Sequence, residues 1–449
     1  MAMDKKLIAL CMALAVSLCL AQVLGSTVLI IACLVSYLLI VGWTCYHDQT
    51  LPVLLFFLPW SPLLRLSQDS YSFYTFGMVL CCCIRLVRNH LRFKNYAVIS
   101  GVILMLITLV SKLMDASGLT FDYIAFMMMI VVFPVMQEEG KKQKYDFYKL
   151  VIFLSLGAIV ASLCAMYFAE YANIRRFIRV DKYSTIIRRS GFYGDANFYA
   201  AQILAALAGT LYLTLEEKNR KRMVFLIAII IVLLYCGFLS GSKSFVLIAA
   251  MALLIWVVAI LRMRGRRGTK FVLLACLVGA AAYIASSALF GGLIDVLVTR
   301  FLRTEDFDSF TTGRMTLWQS YMDELFGNIK VFFLGHGFTN VMINERASHS
   351  TVIQIFYQFG LLGVPVLIYW IISFFRINTQ GANVGKVFSL RYLMIYAGVF
   401  GPWLALDLLF FDEFFLLQWY VLVALTNQGE PPKTETTDNR LRSKAYDSA

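Results

Sequence analysis

The sequence has few charged residues: 15% of its 449 residues are Asp, Glu, Lys or Arg, whereas 60% are hydrophobic. A soluble domain cannot bury so much apolar surface, because the buried fraction levels off as a chain grows. The mean hydropathy is +0.73, and apolar runs of about 20 residues, the length that spans a bilayer, recur along the chain. These features predict an all-α polytopic integral membrane protein.

The sequence also lacks the cysteine patterns of a metal site or a disulfide framework. It contains ten cysteines, most of them inside apolar runs, as Cys81, Cys82 and Cys83 are. None lies in the two long polar segments, and no CxxC pairs occur. Zinc sites and small disulfide-linked domains need such spacing. We therefore interpret the cysteines as packing residues and expect no structural metal.

The apolar runs predict about 12–14 transmembrane helices. We place them near 7–23, 27–43, 51–66, 71–87, 96–114, 119–136, 150–168, 198–215, 222–239, 244–262, 270–288, 351–375, 389–406 and 413–426. The first follows MAMDKK but lacks a small-residue cleavage site, so we expect it to be a retained helix, not a signal peptide. The third, LPVLLFFLPWSPLLRL, contains three prolines. Each proline removes a backbone donor, which predicts a broken or re-entrant helix.

We expect residues 1–426 to form a single transmembrane domain. Asp407, Asp412 and Glu413 interrupt the apolar run before the last span, and we interpret them as a turn between two spans. The polar segment 427–449 predicts a disordered cytoplasmic tail.

The net charge of +13 lies largely in short loops on one predicted side of the membrane. These loops are RNHLRFKN (88–95), EEGKKQKYDFYK (138–149), EEKNRKR (216–222) and RMRGRRGTK (262–270). The positive-inside rule assigns this side, which also carries the N-terminus, to the cytoplasm. The charge thus indicates orientation, and we expect no nucleic-acid partner.

Two long polar segments, 169–197 and 289–350, fall on the predicted extracytoplasmic side, where we expect them to carry short surface helices. From Arg175 to its first glycine, the first contains six cations against one acid, Asp181; they are Arg175, Arg176, Arg179, Lys182, Arg188 and Arg189. Guanidinium groups suit phosphate oxygens, which indicates an anion pocket. The alternative is that these arginines bind lipid phosphates while their stems snorkel.

The second segment adds Arg314 beside Gly313, before a predicted surface helix, and His349 at the first turn of the next span. A neutral imidazole there could accept a proton from a hydroxyl. The alternative is a half-buried histidine bonded to a backbone carbonyl. Asp306 and Asp308 form a DxD pair, which we interpret as solvated loop acids rather than metal ligands.

Five stretches occur in the order RRSGFYGDANFYA, LSGSKSF, TTGRMTLW, LGHGF and HSTVIQIFYQFGLLG. In this order they resemble the O-antigen ligase and polymerase superfamily of bacterial membrane glycosyltransferases, over residues 180–370. That family carries an arginine before a glycine and a (D/N)PN turn, then Ser-Arg, then Gly-Arg-x-x-x-Trp. A histidine, one polar residue, nine residues and GxxG follow. His349, Gly360 and Gly363 match the last spacing, whereas Lys243 replaces the arginine of the second motif and Ala196 the proline of the first.

The resemblance implies a GT-C-like, inverting, metal-independent enzyme without a cofactor. Its donor is a glycan on undecaprenyl pyrophosphate in the outer leaflet of the bacterial inner membrane. The implied catalytic residues are His349, Arg314 and Arg189. The implied pyrophosphate- or glycan-binding residues are Arg188, Arg176, Lys243, Asp195 and Asn197. The implied structural residues are Gly191, Gly194, Gly313, Trp318, Gly360 and Gly363, of which the last two permit close helix packing.

Three functions stay open at this point. A polymerase extends a lipid-linked repeat unit of O-antigen, capsule or exopolysaccharide, with a flippase and a chain-length regulator as partners; the Trp-Ser-Pro stretch near residue 60 favours this reading. A ligase transfers the glycan to lipid A–core or another acceptor. An exporter or flippase moves lipid-linked oligosaccharide, but such proteins carry charges at mid-membrane and often two related halves. Within the family reading, His349 could instead contact pyrophosphate as a cation while Asp195 positions the acceptor.

Overall fold

The computed structural model describes residues 2–67, 70–89, 96–115, 123–124, 126–130, 146–178, 181–183, 186–262, 275, 278–279, 313–338, 343, 346–378, 388–408 and 412–426. The first ten helices are α1 (Ala2–Leu24), α2 (Thr27–Tyr46), α3 (Thr50–Phe57), α4 (Phe73–Asn89), α5 (Tyr96–Met114), α6 (Phe147–Tyr167), α7 (Ala172–Arg175), α8 (Ala196–Glu216), α9 (Arg220–Leu239) and α10 (Lys243–Arg262). The last five are α11 (Arg314–Gly327), α12 (Ile329–Leu334), α13 (Thr351–Asn378), α14 (Leu390–Phe400) and α15 (Asp412–Thr426). Short 3-10 turns at Leu58–Trp60 and Gly401–Leu404 extend α3 and α14.

The chain is a polytopic membrane protein, as the sequence predicts. Within the described residues, eight helices are long and apolar enough to cross a bilayer: Lys5–Leu24, Thr27–Tyr46, Tyr96–Met114, Phe147–Tyr167, Ala196–Glu216, Arg220–Leu239, Lys243–Arg262 and Thr351–Arg376. Two shorter apolar helices, Thr50–Trp60 and Glu413–Thr426, accompany them. The predicted span at 270–288 and the tail 427–449 lie almost wholly or wholly outside the described residues, so the total of 12–14 stays a prediction.

The third apolar run forms a short buried helix. Every residue from 50 to 60 is buried, and a helix of this length covers about 16 Å, roughly half of a hydrocarbon core. The Trp60 indole donates a hydrogen bond to the carbonyl of Gly157 at 3.1 Å. Beyond Trp60 the chain turns, in agreement with the broken helix that the prolines predict.

The central helix is α8. In its span 94% of the residues are buried, against 33–67% in the other candidate spans. It begins directly after Asp195, so the Ser190–Asn197 turn lies at the N-terminal end of this central helix.

Contacts sort the loops to two ends of the bundle. Three side-chain hydrogen bonds mark one end: Arg88 donates to the Tyr46 carbonyl, Lys149 to Gln49, and Arg391 to Glu216. Three hydrogen bonds mark the opposite end: Asn173 donates to the Val23 carbonyl, the Arg189 amide to the Leu239 carbonyl, and Lys330 to Asp115. The ends of the basic loops thus lie away from the two polar segments, which is the arrangement that the charge pattern predicts.

The polar segments contain both helices and strands. The second has the surface helices α11 and α12. The first has the one-turn α7, but it also contains an antiparallel pair of strands, β1 (Asp181–Tyr183) and β2 (Ile186–Arg188), with Asp181 opposite Arg188. This pair of three-residue strands is a local addition to a helical architecture, and the all-α prediction is confirmed for the described residues as a whole.

A kink divides α13 at Gly360. Its φ of 59° and ψ of −174° are non-helical, and a Cβ there would lie 2.5 Å from the Gly335 amide nitrogen and 2.6 Å from the Phe333 carbonyl. A Cβ at Gly363 would lie 2.7 Å from the Phe359 side chain of the same helix and 3.5 Å from the Leu104 side chain, so its packing role stays a prediction. Gly360 instead serves a backbone conformation that L-residues rarely adopt.

Candidate functional site

His349 lies in a constrained turn directly before α13. Its φ is +50°, a left-handed conformation that is uncommon outside glycine. The Ser348 hydroxyl donates to the Ser350 carbonyl at 3.0 Å and accepts from the Ser350 amide at 3.3 Å. Both serines are buried, whereas His349 is half-buried. The serines therefore fix the backbone of the turn and leave part of the imidazole accessible.

Helix α11 holds this turn from one side. The Trp318 indole donates to the Ser348 carbonyl at 2.8 Å, and the Tyr321 hydroxyl donates to the Arg346 carbonyl at 2.8 Å. Trp318, the tryptophan of the Gly-Arg-x-x-x-Trp motif, thus links that motif to the histidine motif.

The chain after α14 holds the same turn from the other side. The Thr351 hydroxyl donates to the Leu406 carbonyl at 2.7 Å and accepts from the Leu408 amide at 3.0 Å. Asp407, between these two leucines, is buried and lies close enough to Tyr321 to contribute to the raised pKa of that phenol, after burial as the main cause. The sequence pattern indicated only that Asp407 is part of a turn between two spans.

Charged residues from two separate motifs, together with Arg346, act on His349. Burial lowers the pKa of its imidazole from the ordinary 6.5, and the Arg314 guanidinium lowers it further. Asp195 raises this pKa and Arg346 lowers it, and each of these two effects is smaller than that of Arg314. The net direction keeps His349 neutral at pH 7. His349, Arg314 and Asp195 are therefore neighbours, although the chain separates them by many residues.

Arg314 owes its place to the glycine before it. Gly313 has a φ of 76° at the N-cap of α11, and Arg314 is the first residue of that helix, half-buried. A glycine adopts this conformation without strain, and the turn sets the start of α11 beside the His349 turn.

The first and second motifs are joined through Asn197. Asp195 caps α8 by accepting from the Asn197 amide at 2.6 Å, and the Asn197 side-chain oxygen accepts from the Ser242 hydroxyl at 2.8 Å. Lys243 follows Ser242 as the first residue of α10 and is half-buried. Asp195 and Lys243 thus stand at the starts of two neighbouring helices.

Replacing Asp195 separates its capping role from its charge. Asp195→Ala should lower the free energy of unfolding by about 1 kcal/mol, because it removes the α8 cap. Asp195→Asn should keep the free energy of unfolding close to that of the natural protein, since Asn caps equally well, while it removes the charge beside His349. Thermal unfolding in detergent would test this. Equal destabilisation by both variants would contradict the capping role.

Arg189 and its glycines shape the approach to α8. The Arg189 amide donates to the Leu239 carbonyl at 3.0 Å, and its guanidinium acts electrostatically on Tyr199. Gly191 has a φ of 56°, and a Cβ there would lie 2.6 Å from the Tyr199 ring. Gly194 has a φ of 67° with open space around it. The glycines let the chain turn from Arg189 to Asp195 over the end of the central helix.

One of the predicted binding arginines is placed differently. Arg176 donates to Gln22 at 3.3 Å and lies over the Phe177 ring at 5.0 Å, so it contacts the end of α1 rather than the described surroundings of His349. Arg188 ends β2, one residue before Arg189. Asp306 and Asp308 lie outside the described residues. Among the residues that are described, no group of three His, Cys, Asp or Glu side chains could hold a metal ion.

His336, interpreted as a loop residue, has specific partners. Its Nε2 lies 3.0 Å from Glu324 and its Nδ1 3.5 Å from Asp115, and its amide donates to the Tyr357 carbonyl. This cluster holds the LGHGF loop against the helix that begins after His349. The two glycines around His336 indicated a turn, but nothing in the pattern indicated the acids.

The Trp-Ser-Pro stretch near residue 60 contacts the first motif. The rings of Trp60 and Phe192 are 5.5 Å apart, and the hydroxyls of Ser61 and Tyr193 are 2.8 Å apart.

No protein-family model and no curated protein matches the chain.

Proposed function

We propose that the chain is a membrane glycosyltransferase that uses undecaprenyl pyrophosphate as the glycan carrier and a lipid-linked repeat unit as the acceptor. The proposal assigns the His349 end of the bundle to the extracytoplasmic face of a bacterial inner membrane. The observation that supports it most is the approach of Arg314 and Asp195 to a half-buried imidazole whose pKa is lowered.

The donor contains a good leaving group, so the enzyme mainly has to bind it. The bond between the anomeric carbon and the phosphate oxygen breaks with its electron pair leaving on the diphosphate. Arg314 and Arg189, with Arg188 and Lys243, would bind this anion through charge-assisted hydrogen bonds. Such preorganised cations stabilise charge that develops in the transition state.

His349 would take the proton of the acceptor hydroxyl as the new glycosidic bond forms from the opposite face of the sugar. A base must be neutral to accept a proton, and burial together with Arg314 favours the neutral imidazole. Asp195 would then stabilise the imidazolium. The lowered pKa therefore favours this role over the alternative in which a cationic His349 contacts the diphosphate.

The pH dependence of transfer follows from the base role. We expect the rate to fall as the pH drops through a midpoint below 6.5, because His349 then gains a proton. Arg346→Gln removes a cation that lowers this pKa, so the midpoint should move to higher pH while the rate on the plateau stays close to that of the natural protein. Arg391→Gln, at the other end of the bundle, is the matched control and should leave the midpoint unchanged. A rate that increases on acidification would contradict the base role.

The proposed function is tested by incubating purified protein with a lipid-linked repeat unit and following product length on a gel. A ladder of products indicates a polymerase, which the contact of Trp60 and Ser61 with the first motif favours. Transfer of one glycan to a different acceptor indicates a ligase. Movement of the lipid-linked glycan across vesicles without a new glycosidic bond would overturn the proposal in favour of an exporter.

A further inference from the structure

A second polar cluster lies on α11, towards the end of this helix that is remote from Arg314. The Tyr357 hydroxyl of α13 donates to Glu324 Oε2 at 2.9 Å. Glu324 Oε1 lies 3.0 Å from Nε2 of His336, in the LGHGF loop (334–338). Each oxygen of this half-buried carboxyl group therefore has a partner, and the two partners belong to different parts of the chain.

The LGHGF loop is itself held against a membrane span. The Ser111 hydroxyl, in the last turn of α5, donates to the Gly335 carbonyl at 2.6 Å. Nδ1 of His336 lies 3.5 Å from Asp115, which directly follows α5. The His336 amide donates to the Tyr357 carbonyl at 3.0 Å. The loop is therefore fixed by two apolar spans, α5 and α13.

Helix α11 has another fixed point nearer to its start. The Trp318 indole donates to the Ser348 carbonyl at 2.8 Å, and Glu324 lies six residues later, about 9 Å along the helix axis. Tyr321, midway between them, has its ring centroid 4.7 Å from that of Tyr357. Residues three apart are neighbours on a helix surface, so Trp318, Tyr321 and Glu324 lie on the same side of α11. With both points held, the helix cannot rotate about either one.

We propose that Glu324 is a positioning residue for the transfer reaction: its two hydrogen bonds fix α11 so that Trp318 stays on the turn of His349 and Arg314 stays beside that turn. Glu324 does not reach the reacting atoms, since it lies ten residues after Arg314, about 15 Å along the helix. Rotation of α11 about Trp318 would displace both ends of the helix, and Arg314 stands at one of them. The effect on transfer rests on the proposed function, whereas the position of α11 does not.

Substitution at Glu324 can remove the two hydrogen bonds or keep them. Glu324→Ala removes both and should raise the donor KM by about 10-fold, as for the loss of hydrogen bonds to a charged group. Its kcat at saturating donor should stay within about 3-fold, because no group that touches the reacting atoms is lost. Glu324→Gln can accept from Tyr357 and donate to an unprotonated Nε2 of His336, so its donor KM should stay within about 2-fold of the natural value.

Two further variants complete this series. Tyr357→Phe keeps the ring and removes one of the two hydrogen bonds, so it should raise the donor KM by less, about 3-fold. Asp323→Ala is the matched control, because Asp323 is an exposed acid on the same helix, and its donor KM should stay within about 2-fold. A donor KM that rises as much in Glu324→Gln as in Glu324→Ala would overturn the inference.

Electron paramagnetic resonance reads the position of α11 without any transfer assay. In a cysteine-free background, spin labels at Met315→Cys and Lys218→Cys report the distance from the start of α11 to the opposite end of the bundle; both positions are exposed. We expect one narrow distance distribution with the natural Glu324 and with Glu324→Gln, and a broadened or shifted distribution with Glu324→Ala. The same distribution in all three would overturn the inference. If the natural protein transfers no sugar, the proposed function fails, while the distances still decide whether Glu324 positions α11.

Discussion

Replacing His349 with alanine should lower kcat for sugar transfer by about 100-fold or more, because the acceptor hydroxyl loses its proton acceptor. Arg314→Lys should lower kcat/KM by about 10- to 100-fold, since a lysine keeps the charge but cannot bind a diphosphate with a planar fork. The two variants should differ in their effect on the donor KM. His349→Ala should leave the donor KM nearly unchanged, whereas Arg314→Lys should raise it.

A matched control for the histidine is His47→Ala. His47 is exposed at the opposite end of the bundle, where it contacts the Trp43 ring and carbonyl. Transfer by this variant should stay within about 2-fold of the natural rate, because surface changes away from a site have small effects. Near-normal transfer by both His349→Ala and Arg314→Lys would show that the assigned roles are wrong.

Gly360→Ala should destabilise the fold strongly. Alanine at a φ of 59° and a ψ of −174°, a conformation essentially restricted to glycine, is strained by about 1–3 kcal/mol. Its Cβ would also lie 2.5 Å from the Gly335 amide nitrogen, and overpacking of this kind costs about 1–3 kcal/mol. The sum is about 2–6 kcal/mol, which thermal unfolding in detergent would detect as a clear drop in Tm.

Gly194→Ala is the control for this substitution. Gly194 has a similar φ of 67° but no atom within 4 Å of its would-be Cβ, so only the conformational strain remains. Its loss of stability should be clearly smaller. Equal losses from the two variants would show that the close approach of the Gly335 and Phe333 backbone to Gly360 does not matter.

The sequence predicts the spans well where the signal is local. The predicted runs 27–43 and 222–239 correspond to Thr27–Tyr46 and Arg220–Leu239, because a bilayer-spanning helix needs only length and apolar composition. The three prolines likewise predict the short helix that ends at Trp60. The hairpin at Asp181–Arg188 was not predicted, since its polar, arginine-rich sequence shows no alternation of apolar residues.

The site depends on contacts that no local pattern contains. The motif order indicates Arg314 and His349, but the approach of Asp195 to His349 requires the packing of α8, α11 and the start of α13. Glu413 was interpreted, together with Asp407 and Asp412, as part of a turn between two spans. Its hydrogen-bond partner Gln202 lies 211 residues away in the chain. The family resemblance and the total number of spans stay predictions.

The orientation of the His349 end of the bundle decides whether a lipid-linked donor in the outer leaflet can reach it. In a variant whose ten natural cysteines are replaced, single cysteines at exposed Phe326 and exposed Lys218 mark the two ends of the bundle. In spheroplasts, a membrane-impermeant maleimide should label Phe326→Cys directly and Lys218→Cys only after permeabilisation. The reverse pattern would place Arg314 and His349 on the cytoplasmic side and contradict the proposed transfer reaction.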